Sequence, residues 1–287
     1  MEFLRVEDNY FPRNSSLNTG GKLFTTDRPV VMGIINSTPD SFYASSRYSL
    51  ADNYLAVAGK MLEEGAGMLD IGGYSSRPGA ARVSVSEEIK RIVPVITAIT
   101  HTFPGTCISV DTFRSEVAKA AVDAGASIIN DISGGSMDKQ LFETVGKLKC
   151  PYVLMHMKGT PETMQQQTDY TNLFKEICYY FSEKIAELRE HGVTDIILDP
   201  GFGFAKTTLR NFELMSRLAD FGFFGLPVLA GVSRKSMIYK TLDTTPEEAL
   251  NGTTVLNTIA LTKGASILRV HDVKEAIEAV KLWTAGS

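Results

Sequence analysis

Eight times along this chain a short apolar run, rich in β-branched residues, gives way to a polar or glycine-rich tip and then to a helical segment. The first run, Val30 to Ile35, ends in Asn36. The second crosses Met68 and Leu69 and ends in Gly72-Gly73. The others reach Asp111, Asn130-Asp131, His156, Asp199-Pro200-Gly201, Ser233-Arg234-Lys235 and Arg269-Val270-His271-Asp272. Continuous apolar runs of this length read as strands buried on both faces. Strands separated by helices must be parallel, and eight of them with no polar edge strand close into a (β/α)8 barrel of the TIM type. The rival, an open doubly wound sheet, requires a Gly-x-Gly-x-x-Gly turn after the first strand. Here that place is taken by Asn36-Ser37-Thr38-Pro39.

The same spacing predicts the helices. One covers residues 50–65, with Leu55, Ala58, Met61 and Leu62 on one face and Gly65 as its cap. A second begins at Ser86 with Glu88 in its first turn, and Ser115 caps a third that runs to Gly125. A long helix spans about 173–189, and a last one spans 273–283. Asn18-Thr19-Gly20-Gly21 marks a turn in a short hairpin. The expected division is an N-terminal extension, 1–29, and one barrel domain, 30–287.

Composition narrows the function. Of 287 residues 44% are hydrophobic and 22% charged, enough for a large core. Lys plus Arg number 29 against 33 Asp plus Glu, a net charge of −4, so nothing drives binding to nucleic acid or membrane. The partners expected are small molecules, and any phosphate must be held by a few placed cations. Cys107, Cys150 and Cys178 are odd in number and form no Cys-x-x-Cys, which fits a reducing cytoplasm rather than a disulfide scaffold or a zinc site. No signal segment or membrane span is read in the chain.

In a barrel the carboxyl ends of the strands carry the active site, and the polar tips all lie there. Asp111 or Asp199 taken singly is as well explained as a helix cap. As a set, Asn36, Asp111, Asn130 and Asp199 offer the mixed donors and acceptors that a flat heterocycle needs. Arg77, Lys235, Arg269 and His271 form a cationic group suited to phosphate oxygens. Arg234, beside Lys235, reads as surface charge. The start of a helix after Ser233-Arg234-Lys235-Ser236 offers backbone N–H groups to an anion such as a carboxylate. Gly72-Gly73 and Gly201-Phe202-Gly203 are either phosphate-cradling turns or glycines required by backbone angle. His156 reads as a hydrogen-bonded structural histidine in preference to a catalytic one.

These residues resemble the dihydropteroate synthase family. The likeness is carried by Met32-Gly33-Ile34-Ile35-Asn36-Ser37-Thr38-Pro39-Asp40-Ser41-Phe42, by Asp70-Ile71-Gly72-Gly73-Tyr74-Ser75-Ser76-Arg77-Pro78-Gly79-Ala80, by Leu198-Asp199-Pro200-Gly201-Phe202-Gly203-Phe204-Ala205-Lys206, by Gly231-Val232-Ser233-Arg234-Lys235-Ser236-Met237 and by Leu268-Arg269-Val270-His271-Asp272. Further matches at 109–114, 129–134 and 153–161 keep the order to the end of the chain. The resemblance implies condensation of 6-hydroxymethyl-7,8-dihydropterin diphosphate with p-aminobenzoate, releasing diphosphate, with Mg²⁺ as cofactor. It implies that Asp111, Asn130, Asp199 and Lys235 hold the pterin between Ile132, Met155 and Phe204. Asn36, Arg77, Arg269 and His271 would hold the diphosphate, Asn36 also as a ligand of the metal. Phe42, Ser76, Pro78, Lys235 and Ser236 would frame the aminobenzoate, which sulfonamides mimic. Loops 37–48 and 74–83 are read as closing over the site, and a homodimer through barrel helices is implied.

The chain departs from the family pattern in places. Ala44, Ser45 and Ser46 stand where Asp-Gly-Gly is usual, Tyr74 replaces a glutamate, Ser76 a threonine and Ala205 a glycine. The rival functions are a pterin- or folate-binding barrel without synthase activity, like those of corrinoid methyltransferases, and a degenerate homologue. Retention of Lys235, Arg269 and His271 favours the synthase.

Overall fold

The computed structural model describes residues 16–37, 50–74 and 83–286. A two-stranded antiparallel hairpin, β1 (Ser16–Thr19) and β2 (Lys22–Thr25), precedes the barrel and turns at Gly20-Gly21 as expected. Eight parallel strands follow: β3 (Val30–Asn36), β4 (Met68–Gly72), β5 (Cys107–Asp111), β6 (Ile128–Asp131), β7 (Tyr152–Met155), β8 (Ile196–Asp199), β9 (Leu229–Ala230) and β10 (Ile267–Val270). They pair in the order β8-β7-β6-β5-β4-β3-β10-β9. The remaining seam is closed by a parallel bridge between Leu198 and Val228, with Leu198 N donating to Pro227 O at 2.9 Å. The expected eight-stranded barrel is the observed one.

The helices are α1 (Leu50–Glu63), α2 (Val85–Thr102), α3 (Ser115–Asp123), α4 (Leu141–Leu148), α5 (Leu173–Glu190), α6 (Thr208–Ser216), α7 (Ser236–Tyr239), α8 (Leu250–Thr262) and α9 (Val273–Ala285). Two starts differ from the reading by residue type. Helix α2 begins at Val85, because Ser84 rather than a later serine accepts from Glu87 N. Helix α3 is not capped by Ser115. Its cap position is Arg114, which supplies no side-chain bond, and Ser115 N donates instead to Asp138 Oδ2 at 2.7 Å. A carboxylate from a neighbouring loop does what a local hydroxyl was expected to do.

Alternation along the strands sorts the barrel into layers. Val31, Leu69, Ile108, Ile129, Leu154, Ile196 and Leu268 face outward and pack under the helices. Met32, Met68, Cys107, Ile128, Val153, Ile197, Leu229 and Ile267 face inward at the amino ends of the strands, and Leu17 of the hairpin, fully buried, plugs this layer from below. Burying one such side chain is worth roughly 1.5–3 kcal/mol. Asn18 N fixes the hairpin further by donating to Asp195 Oδ2 at 2.8 Å. Two residues along each strand, the next inward layer changes character: it holds Asp70, Ser109, Asn130, Met155, Asp199 and Arg269.

Candidate functional site

That polar layer meets in the middle of the barrel. Asp70 Oδ2 accepts from Arg269 Nε at 2.6 Å and from Asn130 Nδ2 at 2.9 Å. Strands β4, β6 and β10 are not neighbours, so these bonds can only cross the interior. Arg269 Nη2 donates to Asp111 Oδ2 at 2.7 Å. Asn36, Gly72, Asp111 and Asn130 stand side by side in register on β3 to β6. A β-carbon at Gly72 would only touch Asp111, at 3.5 Å, and the amide oxygen of Asn36, at 3.9 Å, so neither space nor backbone angle requires glycine there. Asp70 Oδ1 and Ser109 Oγ are buried without a partner, a cost that a bound group or water would remove.

Across the mouth, Met155 and Asp199 are register partners. Asp199 Oδ1 accepts from Gly201 N at 2.8 Å. Lys235 donates to Phe202 O at 2.5 Å, and its ammonium lies 4.8 Å from the centre of the Phe204 ring. Phe113, Ile132, Met155, Met157, Met164 and Ala205 form one apolar cluster at this end, with Tyr74 and Phe204 packed against it. The site therefore joins a flat apolar wall to a ring of acids, amides and cations.

Burial governs the charges. It pushes Asp111 up to about 7 against the pull of Arg269, and Asp199 above the usual carboxylate range against that of Lys235. It draws Lys235 down to about 8, with Asp199 opposing. For Arg269 burial works against the cation, but Asp70 and Asp111 outweigh it and hold the guanidinium charged. The site thus carries acids that are easily protonated beside cations that are expensive to leave unpaired.

The other sequence candidates fall as follows. His271 is exposed at the rim, with Nδ1 3.0 Å from Ser233 Oγ. Ser236 opens α7, a single turn. Arg234 is not loose surface charge. It is half-buried, binds Asp272 through two nitrogens at 2.8 and 2.9 Å, and donates to Pro246 O and Glu247 O. His156 is buried and edge-on to Tyr180, and burial first, then Lys206, keeps it well below its ordinary range, in line with the structural reading. Gly201 and Gly203 have φ of 73° and 81°, so backbone angle accounts for them. Phe42, Ser76, Arg77, Pro78, the substituted residues 44–46 and most of both loops lie outside the described residues.

Sequence reasoning missed four contributors. Asp70 and Ser109 sit inside strands rather than at tips, and only counting back by two from Gly72 and Asp111 marks them as inward. The fully buried Glu88 binds Arg114 at 2.6 Å and Thr112 at 2.8 Å beside the wall. Lys206 is buried below Phe204 and is drawn down to about 7 by burial, with Asp199 opposing.

The family model for pterin binding enzymes matches residues 32–271. The chain is 44% identical over 267 residues to the dihydropteroate synthase of Escherichia coli K12, covering 92% of this chain and 94% of that one. It belongs to the dihydropteroate synthase family. With the synthase of Synechocystis it shares 41% over 289 residues, 99% of each chain. Among solved structures it superposes on a Yersinia pestis dihydropteroate synthase in complex with a sulfonamide drug with a TM-score of 0.89, at 40% identity over 94% of this chain and 98% of the other. The Xanthomonas albilineans synthase in complex with 7,8-dihydropteroate gives a TM-score of 0.86 at 36% identity, over 94% of this chain and 98% of that one. Dihydropteroate synthase activity in folate biosynthesis follows from likeness of this extent.

Proposed function

We propose that the pterin ring of the diphosphate substrate lies against Ile132, Met155 and Phe204 and is read by Asp111, Asn130, Asp199 and Lys235. The observation that supports this most is the inward bond chain Asn130–Asp70–Arg269–Asp111, which gathers acids, amides and a cation over one small area. Arg269, His271 and Arg77 take the diphosphate. Phe42, Ser76, Pro78, Lys235 and Ser236 frame p-aminobenzoate, the molecule present as 4-aminobenzoic acid in a Xanthomonas albilineans synthase structure.

Diphosphate departure leaves a cation spread over the pterin, so no protein nucleophile is needed. The amine of p-aminobenzoate then forms the new C–N bond and loses a proton. The residues act by neutralising charge on the leaving group and by holding the two reactants in line. Mg²⁺ suits this donor set. Among the described residues no cluster of three or more His, Cys, Asp or Glu exists to cage a metal. The exposed Asn36 carboxamide oxygen would hold the ion, a hard oxygen donor of the kind Mg²⁺ takes. When bound it supplies charge neutralisation at the leaving group.

The chain functions as one domain whose base is the hairpin, and in the cytoplasm, consistent with three free thiols. Among the described residues no helix is long and apolar enough to cross a membrane. A homodimer forms through α8 and α9, where Val255, Ile259 and Leu282 are exposed and where Leu282 and Trp283 line a groove with Thr254 and Thr258. The test of the reaction is release of diphosphate from the pterin diphosphate. Release should require both p-aminobenzoate and Mg²⁺, and release indifferent to either would overturn the proposal.

A further inference from the structure

We infer that Lys206 is a positioning residue for the synthase reaction: with Asn211 it locks the turn at 201–205 into the shape that presents Lys235. The inference rests on the assignment of Lys235 to the substrates.

The turn follows β8 and has no regular structure to hold it. Gly201, Gly203 and Ala205 all have left-handed φ, of 73°, 81° and 50°. One internal bond, Phe204 N to Gly201 O at 3.1 Å, crosses it. Its shape comes from two buried side chains that follow it in the chain. Lys206 Nζ reaches back to Gly201 O and Phe204 O, each at 3.0 Å, and to His156 Nδ1 at 3.1 Å. An ammonium has three hydrogens, and these three acceptors match them, with His156 O a weak fourth at 3.5 Å. A neutral His156 with its lone pair on Nδ1 completes the arrangement. Asn211 Oδ1 accepts from Gly203 N at 2.7 Å, while its Nδ2 donates to Lys206 O at 3.2 Å and to Thr207 O at 2.8 Å. The two side chains thus grip Gly201, Gly203 and Phe204.

The opposite side of the turn touches Lys235 at three successive residues. Phe202 O accepts from its ammonium, and the Phe204 ring lies beneath that ammonium. Between them, a β-carbon on Gly203 would come within 3.1 Å of Lys235 Cδ, so the lysine stem lies flat on the glycine. Losing either grip lets the Phe202 carbonyl turn. Lys235 then loses an acceptor that helps keep its buried charge in place.

A plain core role for Lys206 would change stability alone. Positioning predicts coupling to Lys235, which a double-mutant cycle measures. Turnover of Lys206→Met, Lys235→Ala and the combined variant is followed at saturating concentrations of both substrates, with folding checked by circular dichroism. Lys206→Met should lower kcat by roughly tenfold to a hundredfold, and the combined variant should be no slower than Lys235→Ala. Wild-type kcat in a folded Lys206→Met protein, or losses that multiply in the combined variant, would overturn the inference. Should Lys206→Met fail to fold, Asn211→Ser enters the same cycle with the same expectations. Failure of both to fold assigns the pair to global stability and also overturns it. Full activity in Lys235→Ala alone strikes at the site assignment itself, a result distinct from additive losses.

Discussion

Arg269 Nε donates to Asp70 Oδ2 at 2.6 Å inside the barrel, although 199 residues separate the two in the chain. Asp70 is fully buried and accepts from Asn130 through the same oxygen. One carboxylate therefore ties β4, β6 and β10 together under the polar mouth. Removing Asp70 leaves the largely buried Arg269 with Asp111 as its remaining carboxylate partner, and losing one partner of such a pair usually costs more than the pair contributes. Asp70→Ala should lower stability by about 3 kcal/mol. In urea titrations, Asp70→Ala combined with Arg269→Met should lose clearly less than the sum of the single changes. Simple additivity would show that the two do not depend on each other.

Ala205 occupies a position where the family pattern has glycine, and its φ of 50° is left-handed. Relief of the β-carbon clash favours Ala205→Gly by about 1–2 kcal/mol. The freer unfolded chain takes back about 0.4–1 kcal/mol, and loss of a buried methyl about 0.8 kcal/mol. The three nearly cancel, so the thermal midpoint of Ala205→Gly should stay within about 2 °C of the parent. Ala205→Val, branched at the same φ, should fall by more than about 2 kcal/mol. A Val variant as stable as the parent would mean that the turn relaxes freely.

The buried acids and lysines act on stability with opposite slopes. Asp111 is raised by burial from 3.8 to about 7, so the folded protein holds that proton more tightly than the unfolded chain. Its contribution is fully present below about pH 4 and is lost as pH rises through about 7. Lys235 is lowered by burial from 10.5 to about 8. Its contribution is present above 10.5 and is lost as pH falls through about 8. In ligand-free protein, Asp111→Asn should flatten the decline of urea stability between pH 4 and 7. Lys235→Met should flatten the rise between pH 8 and 10. Unchanged slopes in either variant would contradict the assignment of that limb.

On α8 and α9, Val255, Ile259 and Leu282 each expose apolar surface. If this surface is the face between two copies, Val255→Glu with Leu282→Glu should shift sedimentation to the monomer and leave the fold unchanged. A parent protein that sediments as a monomer would end this reading at once.

Much of the site was legible in the sequence because a barrel gives its strand ends one common address. Asn36, Asp111, Asn130, Asp199, Lys235 and Arg269 could be gathered at one mouth from chain order and period alone. Partners were not legible in this way. Nothing near Ser115 announces Asp138, nothing near Arg234 announces Asp272, and nothing in Gly-Phe-Ala-Lys says that the lysine turns back under its own loop.

What the sequence determined by itself is the barrel, its direction, the hairpin turn that precedes it and the kinds of groups at its rim, since apolar period and strand polarity are local properties. The tertiary structure alone decided which charge faces which. Closure of the sheet brings residues 60 to 199 apart in the chain together across a largely buried interior. There an unpaired ion is costly enough that geometry, not residue type, selects the partner.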